Sequence, residues 1–322
     1  MAWSKPVRCC FPFLALLCVA SGAPAADYPA RPIRIVVPYP AGGGLDLVLR
    51  AIAPKLTDRL GQPLVVDNRG GATGVIGAEL VARSSPDGYT LLFYSSAGMG
   101  IVPNLNKALP YDPVRDFSPV TLVTSSPYVL VVHPKVPVTS VPQLVAYAKA
   151  RPGELNFASS GNGSSTHLSG ELLNRMAGTK LVHVPYKGAG PATADTVAGH
   201  IQLRFSAIPP AVPHVKAGRL RALAVTSAQR FYLLPDLPAV AETLPGFQVD
   251  SWQAVFAPAR TPATIVQKLN AEMVAALRAP EARAVLEATG VEAVGSSPER
   301  LGQVLREELA RWAPVVKELS LQ

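Results

Sequence analysis

The sequence predicts an α/β protein built on a largely parallel sheet. Short apolar runs rich in β-branched residues, such as residues 33–37, recur along the chain. Most of them end at a loop that contains glycine or serine. Several of these loops lead into stretches with apolar residues at helical spacing. Strands that alternate with helices in this way are typical of α/β folds.

The predicted elements follow one another from the strand at residues 33–37. That strand ends at a Pro-Tyr-Pro turn and three glycines, and the spacing predicts a helix over residues 45–60 with a kink or break at Pro54. Two late helices each begin with a plausible N-cap followed by proline, at Thr261-Pro262 and Ser297-Pro298. Further strands are predicted at 64–66, 90–94, 128–133, 155–158, 182–184, 201–205 and 220–225, and further helices at 75–83, 141–150 and 167–176.

The first 26 residues have the pattern of a secretory signal peptide. Lys5 and Arg8 precede an apolar stretch, and small residues follow it, with Ala23-Pro24-Ala25 resembling a cleavage site. The apolar stretch is too short to span a bilayer. An uncleaved anchor and a lipoprotein are the alternatives, and the second is disfavoured because Leu17, rather than a small residue, precedes Cys18. The sequence thus predicts export to the periplasm.

Composition excludes several kinds of site. The chain has 322 residues, 48% hydrophobic, and a formal net charge of +8. All three cysteines lie in the predicted leader, so the expected mature chain has no disulfide, no catalytic thiolate and no cysteine-bound metal. No run of basic residues interleaved with aromatic ones occurs, and a nucleic-acid surface is therefore not expected.

Three polar loops follow predicted strands, at the sheet edge where α/β proteins bind ligands. They comprise residues 39–46, 95–98 and 159–167. Two of them open helices, whose first N–H groups lack partners and attract anions, while glycine allows close approach. Serine and threonine add neutral donors, and no lysine or arginine lies in these loops. The inventory suits a small carboxylate or phosphate, although each loop alone could be an ordinary tight turn.

Motifs for catalysis are absent or incomplete. The chain has no P-loop, no G-x-S-x-G elbow and no H-E-x-x-H, and Gly161-Asn162-Gly163 lacks the third glycine of a dinucleotide fingerprint. His167 stands near Ser164 and Ser165, but nothing local supplies the acid that would orient a catalytic histidine. His167 is then either a ligand contact or a structural residue at a helix start. We expect no enzymatic activity, no metal and no cofactor.

Seven stretches of the sequence are characteristic of one protein family, and they run in order across nearly the whole expected mature chain. They are PIRIVVPYPAGGGLD (32–46), LGQPLVVDNRGGATGVIGA (60–78), PDGYTLL (86–92), LPYDPVRDFSPV (109–120), ASSGNGSSTHLSGELL (158–173), VHVPYKGAGPA (182–192) and HVKAGRLRALAVTS (214–227). With these stretches the chain resembles the extracytoplasmic solute receptors of tripartite tricarboxylate transporters, the Bug or TctC type.

The resemblance implies a type II periplasmic-binding-protein fold, in which two α/β lobes flank a ligand cleft and two segments cross between them. The expected lobes are residues 27–126 with 249–322, and residues 127–248, with crossings near Ser125–Tyr128 and Phe247–Trp252. It also implies a receptor that captures a small carboxylic acid and delivers it to a membrane permease, and we expect it to act as a monomer. A receptor for a signalling partner and a secreted Ser/His hydrolase are the alternatives.

The ligand contacts that the resemblance implies are loop amides, hydroxyls and ordered water. Leu45 stands where the family usually has Thr, and Ser206 where it often has Asp. Both changes make the cleft less polar or less acidic, so we expect an acid without an α-amino group. Asp46 could contact the ligand or cap its helix. The expected site residues are Tyr39, Gly43, Gly44, Asp46, Ser95, Ser96, Ser160, Asn162, Gly163, Ser164, Ser165, Thr166, His167, Tyr186 and Ser206.

Overall fold

The computed structural model of the protein describes Met1 and residues 28–318, so the predicted leader after Met1 lies outside the described residues. The strands are β1 (Ile33–Val37), β2 (Leu64–Asn68), β3 (Thr90–Ser95), β4 (Phe117–Ser125), β5 (Tyr128–Val132), β6 (Asn156–Ser159), β7 (Val182–Pro185), β8 (Leu203–Ala207), β9 (Arg221–Val225), β10 (Gln253–Pro258) and β11 (Glu292–Ala293). The α-helices are α1 (Gly44–Leu60), α2 (Val75–Ala82), α3 (Val102–Leu105), α4 (Val141–Lys149), α5 (Ser165–Ala177), α6 (Ala189–Ala198), α7 (Ile208–Lys216), α8 (Ala263–Leu277), α9 (Pro280–Ala288) and α10 (Pro298–Glu318).

The strands form two sheets, which confirms the predicted α/β class. The first sheet has the order β11-β4-β10-β3-β1-β2, and the second has the order β7-β6-β8-β5-β9. The prediction of largely parallel pairing was wrong, because each sheet contains a strand that arrives from the other sheet. β10 runs antiparallel to β3 and β4, and β5 runs antiparallel to β8 and β9.

The chain passes between the sheets at two adjacent segments. One passage joins β4 to β5 at Ser126, and the other reaches β10 through Ser251. The two segments pair in antiparallel fashion, with Ser126 N donating to Ser251 O (3.1 Å) and Ser251 N to Ser126 O (2.8 Å). Thr226 adds a tie, because its hydroxyl accepts from Tyr128 N (2.7 Å) and donates to Val249 O (2.6 Å). The sheets are thus joined by a short hydrogen-bonded ribbon.

Helix α10 packs against the cores of both sheets. Leu301 and Leu305, in its first half, pack with residues of the first sheet. Trp312 and Val316, in its second half, belong to the core of the second sheet. The indole of Trp312 is fully buried and donates to Glu308 (2.6 Å). This helix therefore connects the two halves of the fold through packing. Among the described helices, none is both long enough and apolar enough to cross a membrane.

Two local predictions differ from the structure. Helix α1 continues through Pro54, which lies on an exposed face, so water can replace the hydrogen bond that the proline removes. Thr261 does not cap α8: its hydroxyl donates to Pro258 O (2.7 Å), and Pro262 takes the cap position. The prediction at α10 is confirmed, because Ser297 Oγ accepts from Arg300 N (3.2 Å).

Candidate ligand-binding site

A cavity of about 570 Å³ lies between helical segments that follow strands of the first sheet and the strand ends and loops of the second sheet. Its polar wall is the loop 160–166, which joins β6 to α5, together with Arg204 from β8. Its apolar wall includes Ala97, Ile101 and Leu105, from the helical segment that follows β3. The cavity therefore combines neutral donors, one cation and an apolar surface, as expected for a small organic anion.

The side chains of the 160–166 loop hold its backbone in place. Ser164 caps α5: its Oγ accepts from His167 N (3.2 Å) and donates to Gly161 O (2.7 Å). Thr166 Oγ1 accepts from Ser160 N (3.0 Å). The amides of Ser165 and Thr166 are the first of the helix and have no partner within it. Because no acidic residue stands in this first turn, the helix start retains its attraction for an anion.

His167 contacts the backbone of this loop on the side away from the cavity and does not line the cavity. It is 4% exposed, and its Nδ1 accepts from Gly163 N (3.1 Å). Its ring stacks on His183 with centroids 3.7 Å apart, and His183 Nε2 lies 2.6 Å from Ser159 Oγ. Burial lowers the pKa of His183 to about 4. The expectation that no local acid faces His167 was wrong, because Glu171 Oε1 lies 3.7 Å from His167 Nε2. Nδ1 of His167 and the hydroxyl of Ser164 nevertheless both bond to the loop itself, so the geometry does not form a nucleophile–base pair.

In the loop after β1, the carboxylate of Asp46 holds the loop backbone, as His167 does in the 160–166 loop. Asp46 is buried, and its Oδ2 accepts from Gly42 N (2.8 Å) and from Arg50 Nε (2.9 Å). The hydrogen bond from Arg50 keeps the pKa of Asp46 below its ordinary value, and the Gly42 amide acts in the same direction. Of the two roles that the sequence left open for Asp46, the structure shows the capping of its own loop.

A second cavity, of about 510 Å³, adjoins the first. Tyr128 and Ala207 line both cavities, and the second also includes Gly44 and Leu47 of α1. The expected site residues are therefore divided. Gly44 lines the second cavity, and Ser160, Asn162, Gly163, Ser164, Ser165 and Thr166 line the first. The expected residues that line neither of these two cavities are Tyr39, Gly43, Asp46, Ser95, Ser96, His167, Tyr186 and Ser206.

Most of the residues outside both cavities have partners of their own. The hydroxyl of Tyr39 lies 3.4 Å from Ser95 Oγ. The hydroxyl of Tyr186 donates to Asp195 (2.6 Å), and buried Ser206 donates to the adjacent carbonyl (3.1 Å). The backbone amide of Ser96 donates to a carbonyl of the segment before β10 (2.8 Å). In this conformation, these hydrogen bonds are made at the ends of the strands and not in the cavity.

Among the cavity residues that were not expected from the sequence, Arg204 and Tyr128 are notable for their polar groups. Arg204 lies in strand β8, outside the three polar loops in which ligand contacts were expected. The alternation in β8 was the available signal, because Leu203 and Phe205 enter the core and Arg204 must point to the opposite face. Tyr128 lies at the start of β5 and lines both cavities.

Comparison with known proteins identifies the family. The sequence profile of the family described as "Tripartite tricarboxylate transporter family receptor" matches residues 48–321. The chain belongs to this family. It is 41% identical over 296 residues to a UPF0065 protein from the tcbD-tcbE intergenic region of Pseudomonas sp. strain P51, covering 91% of this chain and 88% of that protein. It is 40% identical to Protein BugT of Bordetella pertussis, over 95% and 94% of the two chains.

Solved receptors share the fold. Rpa4515 of R. palustris with adipate is 39% identical over 90% of this chain and 98% of that one, with a TM-score of 0.73. MatC of Rhodopseudomonas palustris with bound malate is 35% identical over 90% and 100%, with a TM-score of 0.71. A ligand-free TctC protein from Polaromonas is only 29% identical over 90% and 99%, yet its TM-score is 0.84.

These comparisons confirm the expected family and the expected fold, with two α/β lobes around a ligand cleft. The neighbours include periplasmic binding proteins, and the family consists of solute receptors rather than enzymes. The present structure agrees better with the ligand-free receptor than with the two ligand-bound ones, although sequence identity ranks them in the opposite order.

Proposed function

We propose that this protein is a periplasmic receptor that captures a small carboxylate between its lobes and delivers it to a tripartite tricarboxylate-type permease. The observation that carries the proposal is the start of α5 at the inter-sheet cavity. There, unpartnered helix amides and a hydroxyl-rich loop meet an apolar wall, and the first turn holds no acid. The adipate and malate complexes of related receptors support the same ligand class.

The proposed lobes are residues 27–126 with 249–322, and residues 127–248, with the ribbon around Ser126 and Ser251 as the hinge. Periplasmic binding proteins close by such hinge motion. Closure would bring the loops 43–46 and 95–96 of the first lobe toward the cavity, so that one ligand contacts both lobes. A ligand that bonds to both lobes favours the closed state by its differential affinity.

The proposed ligand is an acid without an α-amino group. An ammonium buried in the cavity would need a carboxylate or another acceptor beside it. The side chain at position 206 is a neutral serine, and Asp46 already bonds to Arg50 and to its own loop. The apolar wall formed by Ile101 and Leu105 would instead receive a hydrocarbon body. The first 26 residues would export the chain, which we propose acts as a monomer.

Mass spectrometry of ligand released from the purified protein, followed by calorimetry, tests this proposal. The panel contains mono-, di- and tricarboxylates together with the matching amino acids. We expect a plain carboxylic acid to bind at least about tenfold more tightly than its α-amino counterpart, a difference of about 1.4 kcal/mol. Small-angle scattering should show a smaller radius of gyration with the bound acid. Binding of amino acids alone, or an unchanged radius at saturation, would contradict the proposal.

A further inference from the structure

Arg204 is a buried cation at the ligand cavity. Its side chain is 1% exposed, and the residue lines the cavity together with the 160–166 loop and Ala189. The guanidinium bonds to neutral oxygens: Nη1 donates to Ala189 O (3.0 Å) and to the hydroxyl of Thr193, and Nε to Phe205 O (3.4 Å). These contacts fix the guanidinium between β8 and the start of α6.

Arg204 differs from the other buried charges in lacking a partner of opposite sign. Asp46 pairs with Arg50, and Glu308 pairs with Arg311. For Arg204, burial lowers the pKa to about 10, and no carboxylate among the described residues opposes this effect. A cation that is taken out of water without a counter-charge is unfavourable, and an anion that enters the same cavity would relieve this cost.

We propose that Arg204 binds a second anionic group of the ligand, so that this receptor selects dicarboxylates over monocarboxylates. This inference rests on the proposed function and specifies its ligand class. One carboxylate would bind at the start of α5, and the other would accept from Arg204. Both groups of donors line one cavity of about 570 Å³, so a single small molecule can contact both. Guanidinium–carboxylate hydrogen bonds are charge-assisted and directional, which suits selection between two otherwise similar acids.

The alternative role for Arg204 is structural, as a tie between β8 and α6. Such a tie would affect all ligands to a similar degree, because it acts through the shape of the site. A direct contact with a second carboxylate changes the ratio of diacid to monoacid affinity. This ratio is therefore the informative measurement, and thermal unfolding alone is not.

The experiment compares linear diacids of four to eight carbons with monoacids of the same length, for instance adipate with hexanoate, by calorimetry. We expect the wild-type protein to prefer its best diacid over the matched monoacid by about tenfold or more. In Arg204→Met this ratio should fall to about one, with monoacid affinity within about threefold of wild type. Arg204→Lys should keep part of the preference. Thr193→Val is the matched control, because it removes a neighbour of the guanidinium and retains the charge.

Equal affinity of the wild-type protein for diacid and monoacid would overturn the inference and leave the proposed function standing. An unchanged ratio in a folded Arg204→Met variant would overturn it as well. If neither these acids nor the wider panel of carboxylates binds, the proposed function itself fails. Should Arg204→Met not fold, as judged by circular dichroism, the wild-type ratio and Arg204→Lys decide the matter, because a lysine variant with the full wild-type ratio would exclude bidentate recognition by Arg204.

Discussion

The helix starts of α1 and α5 have the same backbone design and opposite electrostatics. In each, a glycine with positive φ precedes the N-cap, and the third helical residue accepts the amide of that glycine. In α1 the acceptor is the carboxylate of Asp46, which bonds to Gly42 N. In α5 it is the imidazole of His167, which bonds to Gly163 N.

This difference determines which helix start can receive an anion. The carboxylate of Asp46 satisfies the loop and at the same time offsets the positive end of α1. Nδ1 of His167 accepts the amide of Gly163 just as the carboxylate of Asp46 accepts the amide of Gly42, but this acceptor atom carries no negative charge. The α5 start therefore keeps its positive potential at the cavity. The same loop structure can thus be neutralised by its own carboxylate in one helix and remain able to bind an anion in the other.

The largest effect on ligand binding should come from making α5 resemble α1. In His167→Asp, the carboxylate can still accept from Gly163 N, but it adds a negative charge at the helix start. Like charges near one another are unfavourable, and we expect carboxylate affinity to fall at least about tenfold, or about 1.4 kcal/mol. His167→Asn is the matched control with an uncharged acceptor, and it should bind within about threefold of wild type. Calorimetry that shows equal losses in the two variants would refute the electrostatic explanation.

Removal of the carboxylate from the first loop should reduce stability. Asp46→Ala deletes the acceptor of Gly42 and the partner of Arg50, and hydrogen bonds to charged groups are worth about 1.5–3 kcal/mol. We expect the free energy of unfolding in urea at pH 7 to fall by about 2 kcal/mol. Asp46→Asn retains an acceptor for Gly42 and should lose less. If both variants are as stable as wild type, Asp46 does not hold this loop.

A smaller effect is expected from the N-cap that distinguishes the second loop. Ser164 caps α5 with its hydroxyl, whereas Gly43 at the corresponding position of α1 has no side chain. Ser164→Ala should lower the free energy of unfolding by about 1 kcal/mol, and Ser164→Gly by only a few tenths. Carboxylate affinity should fall with the alanine variant because the loop loses its bond to Gly161. An alanine variant with wild-type stability and affinity would show that the hydroxyl is dispensable.

Acid should affect the two loops in different pH ranges. The pKa of Asp46 is lowered, so its stabilisation is present above the unfolded-state pKa of about 3.9 and is lost only as pH falls through the lower folded value. The pKa of His183 is lowered from 6.5 to about 4. Between pH 6.5 and about 4, the unfolded state carries a proton on His183 that the folded state does not, so the free energy of unfolding falls as pH decreases.

Urea midpoints measured at pH 7 and pH 5 test this expectation. The wild-type protein should lose stability between the two, and His183→Gln should lose less, because it retains a polar partner for Ser159 and does not titrate. An identical decline in both proteins would assign the acid sensitivity to other groups.

Much of the fold could be predicted from the sequence, because its strands and helices carry strong local patterns. The run at 33–37 is a strand, and Ser297-Pro298 begins a helix. Helix α7 could not be recognised, since Pro209, Pro210 and Pro213 normally interrupt helices. Two of these prolines lie in its first turn, where the missing N–H groups have no helical partner in any case. Strand β10 acquires its pairing only when the chain returns to the first sheet.

Only part of the candidate site could be predicted from the sequence, because some of its residues are brought together by strand pairing. The 160–166 loop has a local signature of glycine and hydroxyl residues at a helix start. Arg204 reaches the cavity because β8 pairs with β6, the strand before that loop, and Tyr128 reaches it because β5 pairs with β8. Sequence spacing carries no information about such neighbours.

The two-sided packing of α10 has a consequence for the order of folding. The interior of the second sheet includes Trp312, Val315 and Val316, although its strands are complete at Val225. During synthesis, this sheet therefore lacks part of its core until α10 has been made. A buried tryptophan removed from a core typically costs about 3–5 kcal/mol, which is a large fraction of the about 5–15 kcal/mol by which native proteins are stable. The second half of the fold should thus become stable only late, when a distant helix closes it.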